Sequence, residues 1–244
     1  MAALSDKSDS ICLLDSKETP YYLSNESRRE DTFATLSKIP IKKGGVHIGF
    51  SCCENLDIIA QRKSSFAILG DINPRVKQIM DLTREVIGRS KDRRDFVHNM
   101  YDAFPAWARE RDKDDLLGEL DRQESWLGSD EAFAYIASMY KENRIEHRTF
   151  DASENPEYQK ISLQMAMKKL HCDTFYISNI PDWLAEDDDG AKKLQALKRC
   201  TIWISSPDTM IIHSSMHFSG AAEIQQVVFK SSAWNPAQLI SKNI

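Results

Sequence analysis

The sequence predicts an α/β protein: a doubly wound, mostly parallel Rossmann-like sheet with a C-terminal antiparallel hairpin and a helical insertion. Short apolar runs alternate with helical stretches over most of the 244 residues, as in βα units wound on a parallel sheet. The runs at 46–50, 65–70 and 173–178 are apolar without alternation, as expected of strands buried on both faces. An acid, Asp71, closes the second run about twenty residues after the turn that ends the first. That is the layout with which a βαβ unit holds a nucleoside ribose.

Residues 1–19 mix Ser, Asp and Lys with no leader pattern and are expected to be disordered. Residues 20–244 form one α/β domain with the insertion at 89–143. A helix is predicted at 27–38, with Phe33 and Leu36 on one face and Asn25 or Ser27 as cap. Pro40 and Gly44-Gly45 end it, and 46–50 is the first strand. Ser51 with Glu54 three residues on reads as a capping box, opening a helix to about residue 62. The second strand, 65–70, leads to Asn73-Pro74, a cap and first helical position, and to a helix at 75–87. The charged stretch 90–143 reads as helices around 96–108, 114–127 and 130–141. A third strand, 145–150, ends at Asp151, and Asn155-Pro156 opens a helix through Leu170. A fourth strand, 173–178, runs into Asn179-Ile180-Pro181-Asp182-Trp183. A short helix reaches Leu197, and 200–204 reads as a fifth strand. The runs at 210–213 and 225–229 leave no room for a crossover helix and are expected to pair antiparallel.

Net charge is −5 and the isoelectric point about 5.7, without the basic stripe of a nucleic-acid binder. No apolar run reaches the length of a membrane span. With no leader, a cytoplasmic protein is expected, secretion by a specialised system being left open. Five cysteines without a C-x-x-C pair argue for a reducing compartment and against a zinc site. Cys52-Cys53 read as small residues in a tight turn, although a helix N-terminus can activate a thiol. His213 and His217 have no acid nearby to complete a metal site, and no metal is expected. P-loop and G-x-S-x-G patterns are absent.

In an open α/β sheet, ligands bind beyond the carboxyl ends of the strands at the switch point. That edge collects Gly49, Ser51, Glu54, Asp71, Asn73, Asp151, Ser178, Asn179, Asp182 and Trp183. The first helix must run back down before the first strand runs up, so Tyr21, Tyr22, Asn25 and Glu26 lie near the same edge. The candidate binding residues are Tyr22, Asn25, Glu26, Gly49, Ser51, Asp71, Asn73, Asp151 and Ser178; the candidate catalytic residues are Asn179 and Asp182. Amides at the start of the helix after Ser51 can receive a carboxylate or phosphate. Asp71 can accept from two ribose hydroxyls, and Asp151 can read the exocyclic amine of a base. Asn179 offers a donor and an acceptor near a transferred group. Tyr21, Tyr22 and Trp183 can stack on a base or face a cation. Structural roles compete: a carboxylate after a strand can cap the next helix, Asn179 can be a turn residue, and the tyrosines can close the sheet edge. Gly49 alone, in place of G-x-G-x-x-G, leaves little room for a pyrophosphate and disfavours a dinucleotide. The insertion is the natural acceptor-binding element, one ascent and one descent placing loop 109–114 near the ligand edge.

With the strands placed, the layout over about 44–230 resembles the class I S-adenosylmethionine-dependent methyltransferase-like superfamily. Tyr22-Leu23-Ser24-Asn25-Glu26 and Gly44-Gly45-Val46-His47-Ile48-Gly49 are similar to the Y-L-S-N-E and G-G-V-Y-I-G segments of uncharacterised bacterial methyltransferase-like proteins. Ser178-Asn179-Ile180-Pro181-Asp182-Trp183-Leu184 resembles a segment of enzymes that transfer the aminocarboxypropyl group of the same cofactor to lipids. The resemblance implies S-adenosylmethionine as cofactor, with Gly49 to Glu54 near its methionine part, Asp71 at the ribose, Asp151 at the adenine and Ser178 to Asp182 beside the sulfonium. Phe50-Ser51-Cys52-Cys53 replaces the usual small, Gly-rich loop and narrows the pocket. The expectation is an S-adenosylmethionine-binding transferase, foremost a methyltransferase. Its acceptor is unknown, a small molecule or a protein, and Asp182 or His213 is available as a base. The alternative is a non-catalytic methyltransferase-like binding protein, such as a bacterial effector or scaffold.

Overall fold

The computed structural model describes residues 22–51, 53–107, 110–215 and 224–236. The expectations for residues 1–19, Tyr21, Cys52 and His217, and part of that for loop 109–114, lie outside these residues. The elements are α1 (Arg29–Ser37), β1 (Gly45–Phe50), α2 (Glu54–Arg62), β2 (Phe66–Asp71), α3 (Pro74–Arg89), α4 (Arg93–Ala103), α5 (Glu110–Leu116), α6 (Asp130–Lys141), β3 (Ile145–Thr149), α7 (Asn155–Met167), β4 (His171–Ser178), α8 (Ile180–Ala185), α9 (Gly190–Ile204), β5 (Met210–Ser215) and β6 (Gln225–Lys230). Among the described residues they form one six-stranded sheet in the order β3-β2-β1-β4-β5-β6. The first five strands are parallel and β6 pairs antiparallel with β5. Chain order reverses between β1 and β4, which makes their carboxyl ends the switch point.

Side chains leave β1 alternately to the two faces. Val46, Ile48 and Phe50 enter a core with Phe175, Ile177, Tyr158, Ile161 and Leu197, beneath α7 and α9. The opposite face is covered by α2, α3 and the helices that follow, which bring Leu56, Ile79, Phe96, Trp126 and Phe133 into one cluster with Ala67 and Leu69 of β2. α1 covers the β4–β5 side of that face through Phe33 and Leu36 on Tyr176 and Ile212. Every residue of β1 is buried, so both faces select apolar or small side chains there.

Two glycines let other groups approach the sheet. A Cβ on Gly49 would lie 1.7 Å from Asn55 Oδ1, and one on Gly70 would lie 2.1 Å from the Phe150 ring. The space above Gly49 holds a hydrogen-bonded relay. Asn55 Nδ2 donates to the Phe50 and Ser51 carbonyls, at 2.8 and 3.2 Å, which leaves Asn55 Oδ1 to accept from His47 Nε2 at 2.9 Å. His47 therefore carries its proton on Nε2, and Nδ1 accepts from Thr174 Oγ1 at 2.8 Å. Burial lowers His47 to about 4, so the ring is neutral.

Three local expectations are corrected. Residues 200–204 belong to α9 and are not a strand: Leu194, Leu197, Cys200, Thr201 and Ile204 are its buried stripe, at helical spacing. The helix expected at 114–127 ends at Leu116, and only a short 3-10 turn, Gly118–Leu120, follows. The Ser51–Glu54 capping box does not form. α2 starts from Cys53 with no side-chain cap, because Ser51 takes a left-handed conformation and its N–H turns to Asp71.

Gly49→Ala is expected to cost about 1–3 kcal/mol by overpacking against Asn55, read as a lower urea midpoint. Gly88→Ala, whose Cβ meets nothing within 4 Å, is the control and is expected to be neutral or stabilising by up to about 1 kcal/mol.

Candidate functional site

At the switch point the two neighbouring strands leave the sheet in the same unusual way. Ser51 after β1 has φ 69° and Ser178 at the end of β4 has φ 51°. A left-handed conformation at a residue with a Cβ costs about 1–2 kcal/mol, so both exits hold strain where the strands diverge. Each is tied to a carboxylate. The Ser51 N–H donates to Asp71 Oδ2 at 3.3 Å, and Ser178 Oγ donates to Glu26 at 2.5 Å.

Asp71 ends β2, and its Oδ1 accepts from the Asn73 N–H at 2.9 Å. Asn73 itself caps α3 by accepting from the Arg75 N–H at 2.9 Å. Although Asp71 is half-buried as a residue, its carboxylate is enclosed. Burial pushes it up to about 6, against the backbone N–H groups of Asn73, Ser51 and Ile72. Each oxygen keeps a lone pair for a hydroxyl donor.

Glu26 lies on a strap before α1 that runs beside β6: the Ser27 N–H donates to the Ile224 carbonyl at 2.8 Å and the Gln226 N–H to the Ser27 carbonyl at 3.2 Å. Its carboxylate accepts from Ser178, Ser214 and Gln226 Nε2. Gln226 Nε2 donates also to Glu54 Oε1 at 2.8 Å, and Glu54 opens a buried ionic network. Arg29 Nε lies 2.7 Å from Glu54, its Nη2 2.6 Å from Asp57, and its Nη1 3.6 Å from Glu119. Asp57 accepts also from the Trp126 N–H at 2.7 Å, and Glu119 meets Arg122 at 3.3 Å. Burial raises Glu54 and Asp57 above the ordinary carboxylate range. Arg29 opposes the rise, while neighbouring carboxylates reinforce it: Glu26 for Glu54, and Glu119 and Glu54 for Asp57. Among the described residues no His, Cys, Asp or Glu group is arranged to hold a metal.

The structure thus brings Gly49, Ser51, Asp71 and Asn73 together, and separately Glu26, Ser178 and Asn179, the last meeting Ser178 Oγ at 3.3 Å. Asp182 accepts from Ser215 Oγ at 2.9 Å beside them, and Trp183 is 55 % exposed on α8. Asn25 is exposed on the strap. Asp151 turns to its own loop, accepting from the Ser153 N–H and Oγ, each at 2.7 Å. Tyr22 is in the core: its hydroxyl meets Thr83 at 3.2 Å, its ring packs edge-on against Phe104, and its N–H donates to Asp112 of α5 at 2.8 Å. The Arg29 network went unread in the sequence. Its signal is a charged residue on an apolar helical stripe, since Arg29, Thr32, Phe33 and Leu36 are the buried side of α1. Two clefts, of about 430 and 460 Å³, lie elsewhere, one beside Trp234 and the end of α9, the other between Phe133 and Lys91.

Sheet order, switch point and helices on both faces define a Rossmann-like α/β protein. The chain belongs to the family described as "Domain of unknown function (DUF7790)", matched over residues 21–110 and 105–200. No curated protein matches it. Similar solved structures include the rRNA methyltransferase aviRa from Streptomyces viridochromogenes, at 14 % identity over 86 % of this chain and 82 % of that one, TM-score 0.40. Another is the glycopeptide N-methyltransferase MtfA with S-adenosyl-L-methionine, at 11 % identity over 88 % and 70 %, TM-score 0.37. At this level the likenesses carry nothing about chemistry. Among the described residues no helix is long and apolar enough to cross a membrane.

The raised acids set a pH dependence. His47 and His147 are lowered to about 4 and His213 to about 3, chiefly by burial, so above about pH 7 they are neutral in the folded state and mostly neutral in the unfolded chain. Glu54 and Asp57 then hold protons in the folded state that the unfolded chain has released. Stability therefore falls as pH rises from about 7 to about 8. Asp57→Asn is expected to flatten that fall by up to about 1.4 kcal/mol per pH unit, read from urea midpoints across the range.

Proposed function

We propose that the carboxyl edge of the sheet binds S-adenosylmethionine and that the protein is a transferase, foremost a methyltransferase. The observation that carries this reading is Asp71, an enclosed carboxylate at the end of β2, anchored by the N–H groups of Ser51 and Asn73 and keeping acceptor capacity on both oxygens. A ribose diol needs such an acceptor. Ile72, 41 % exposed next to it, supplies apolar surface for a base. Glu26, Ser178, Asn179 and Asp182 stand across the switch point on the β4 side. When bound, the cofactor supplies an alkyl group already activated by its sulfonium, so the protein's part is to align the acceptor and exclude water. In this reading Asn179 and Asp182 orient the acceptor. Asp182, held by Ser215, can take a proton from one.

The fit is uneven. The ribose side is provided for, but the turn that would receive the methionine end is closed by the chain itself. The Cys53 N–H donates to the Tyr22 carbonyl at 3.1 Å, and the room over Gly49 holds Asn55. That closure favours a second reading, a binding protein on this fold without transferase chemistry.

Calorimetry with S-adenosylmethionine decides. Binding by the natural protein, lost in Asp71→Ala with the thermal unfolding profile retained, is the expected result. No heat at millimolar cofactor overturns the first reading and leaves the second.

A further inference from the structure

We propose that the amino edge of the sheet docks on the surface of an anionic lipid bilayer. The proposal does not depend on the transferase reading, because it concerns the end of the sheet opposite Asp71. The loops 38–44, 168–170 and 205–209 lead from α1, α7 and α9 into β1, β4 and β5, so all three lie at that edge. Contacts join them into one surface. Lys42 Nζ lies 3.3 Å from Asp208, the His171 N–H donates to the Gly44 carbonyl at 3.3 Å, and Thr209 Oγ1 donates to the Cys172 carbonyl at 2.8 Å. Lys230 ends β6 beside Met210, at the same edge.

Charge is segregated between the two edges. The chain carries a net charge of −5, yet these loops hold Lys38, Lys42, Lys43, Lys168 and Lys169 against one acid, Asp208. Lys42 takes that acid; Lys43, Lys168 and Lys169 are exposed and, among the described residues, stand in no ion pair. Asp173, near the start of β4, is buried and committed to Arg62 at 2.8 Å. The second observation is apolar. Ile41 of the first loop is 54 % exposed, Met167 at the end of α7 is 77 % exposed, and Ile202 and Trp203 in the last turn of α9 are 59 % and 51 % exposed. The opposite stripes of α7 and α9 pack on β1, so these side chains stand on the outward side. Arg199, also exposed, precedes Trp203 by one helical turn on that side. A single exposed apolar side chain is ordinary, but several among unpaired cations match a surface that lies on a membrane. The lysines meet anionic headgroups, Trp203 sits at headgroup level, and the aliphatic side chains enter the acyl boundary. A nucleic acid would meet the charge and give Ile41, Met167 and Ile202 no apolar medium. Docked in this way, the carboxyl edge with Asp71 faces away from the lipid.

Vesicle flotation of the full chain tests the proposal. The protein is expected to float with phosphatidylcholine vesicles containing about 30 mol % phosphatidylserine, to stay behind with pure phosphatidylcholine, and to be released as salt rises from about 0.1 M to about 1 M. Lys43→Glu combined with Lys168→Glu is expected to weaken binding about tenfold with the thermal unfolding profile retained, while Arg94→Glu on α4 changes nothing. Lys43→Gln with Lys168→Gln takes the place of the charge reversals if these unfold the protein. Brominated lipid is expected to quench tryptophan emission in the natural protein and in Trp183→Phe, and to lose that effect in Trp203→Phe. No flotation with either vesicle overturns the proposal, as does equal flotation with both or binding that the lysine variants leave unchanged. Polyuridylate bound in place of vesicles, or a dimer that Trp203→Ser dissociates without any flotation, also overturns it and assigns the edge to nucleic acid or to a second copy of the chain.

Discussion

Arg29 is the group on which the placement of the edge depends. It is 4 % exposed and meets carboxylates from two separate parts of the chain: Glu54 and Asp57 of α2, and Glu119 of the helical stretch between α3 and β3. A guanidinium taken out of water is tolerated only beside compensating carboxylates. Removing it would leave several carboxylates buried against each other. Through Glu54 and Gln226 the same network reaches the strap at Glu26 and the edge strand β6, and through Asp57 it reaches the backbone at Trp126. Strap, insertion and edge strand, distant in sequence, are therefore fastened to one turn, the turn after β1.

Much of the fold was legible because it rests on local periodicity. β1 and β2 read as uninterrupted apolar runs because both faces bury them, and Asn73-Pro74 marked the start of α3 because its capping chemistry is local. The antiparallel close of the sheet followed from chain length alone, 225–230 being too near β5 for a crossover. Two of the misreadings share one cause. Residues 200–204 have the composition of a strand, but their neighbours at 194 and 197 supply the helical stripe that packs on the sheet. Ser51 has the composition of a cap, but strand divergence at the switch point forces it left-handed. In both places tertiary packing overrides the local signal.

The edge was legible as a place and less so as a chemistry. Asp71 could be located from spacing, and so could Ser178 and Asp182, because strand ends converge by topology. What those residues meet could not be read, because the partners are far off in sequence: Ser178 to Glu26, Asp182 to Ser215, Glu54 to Gln226. Gly49 was a candidate binding residue, but the space a Cβ there would take is filled by Asn55. A position vacated by glycine at a strand end is thus evidence of close approach, and only the neighbouring residues decide what approaches.

The most direct test of the Arg29 account is amide hydrogen exchange, followed by mass spectrometry, on the natural protein and on Arg29→Met, which keeps a long side chain and removes the charge. If Arg29 fastens the three segments to the turn, protection falls together at 22–28, 119–127 and 225–230 while β1, β2 and β3 stay protected. Loss of protection confined to α1, with the strap, insertion and edge strand unchanged, would contradict it.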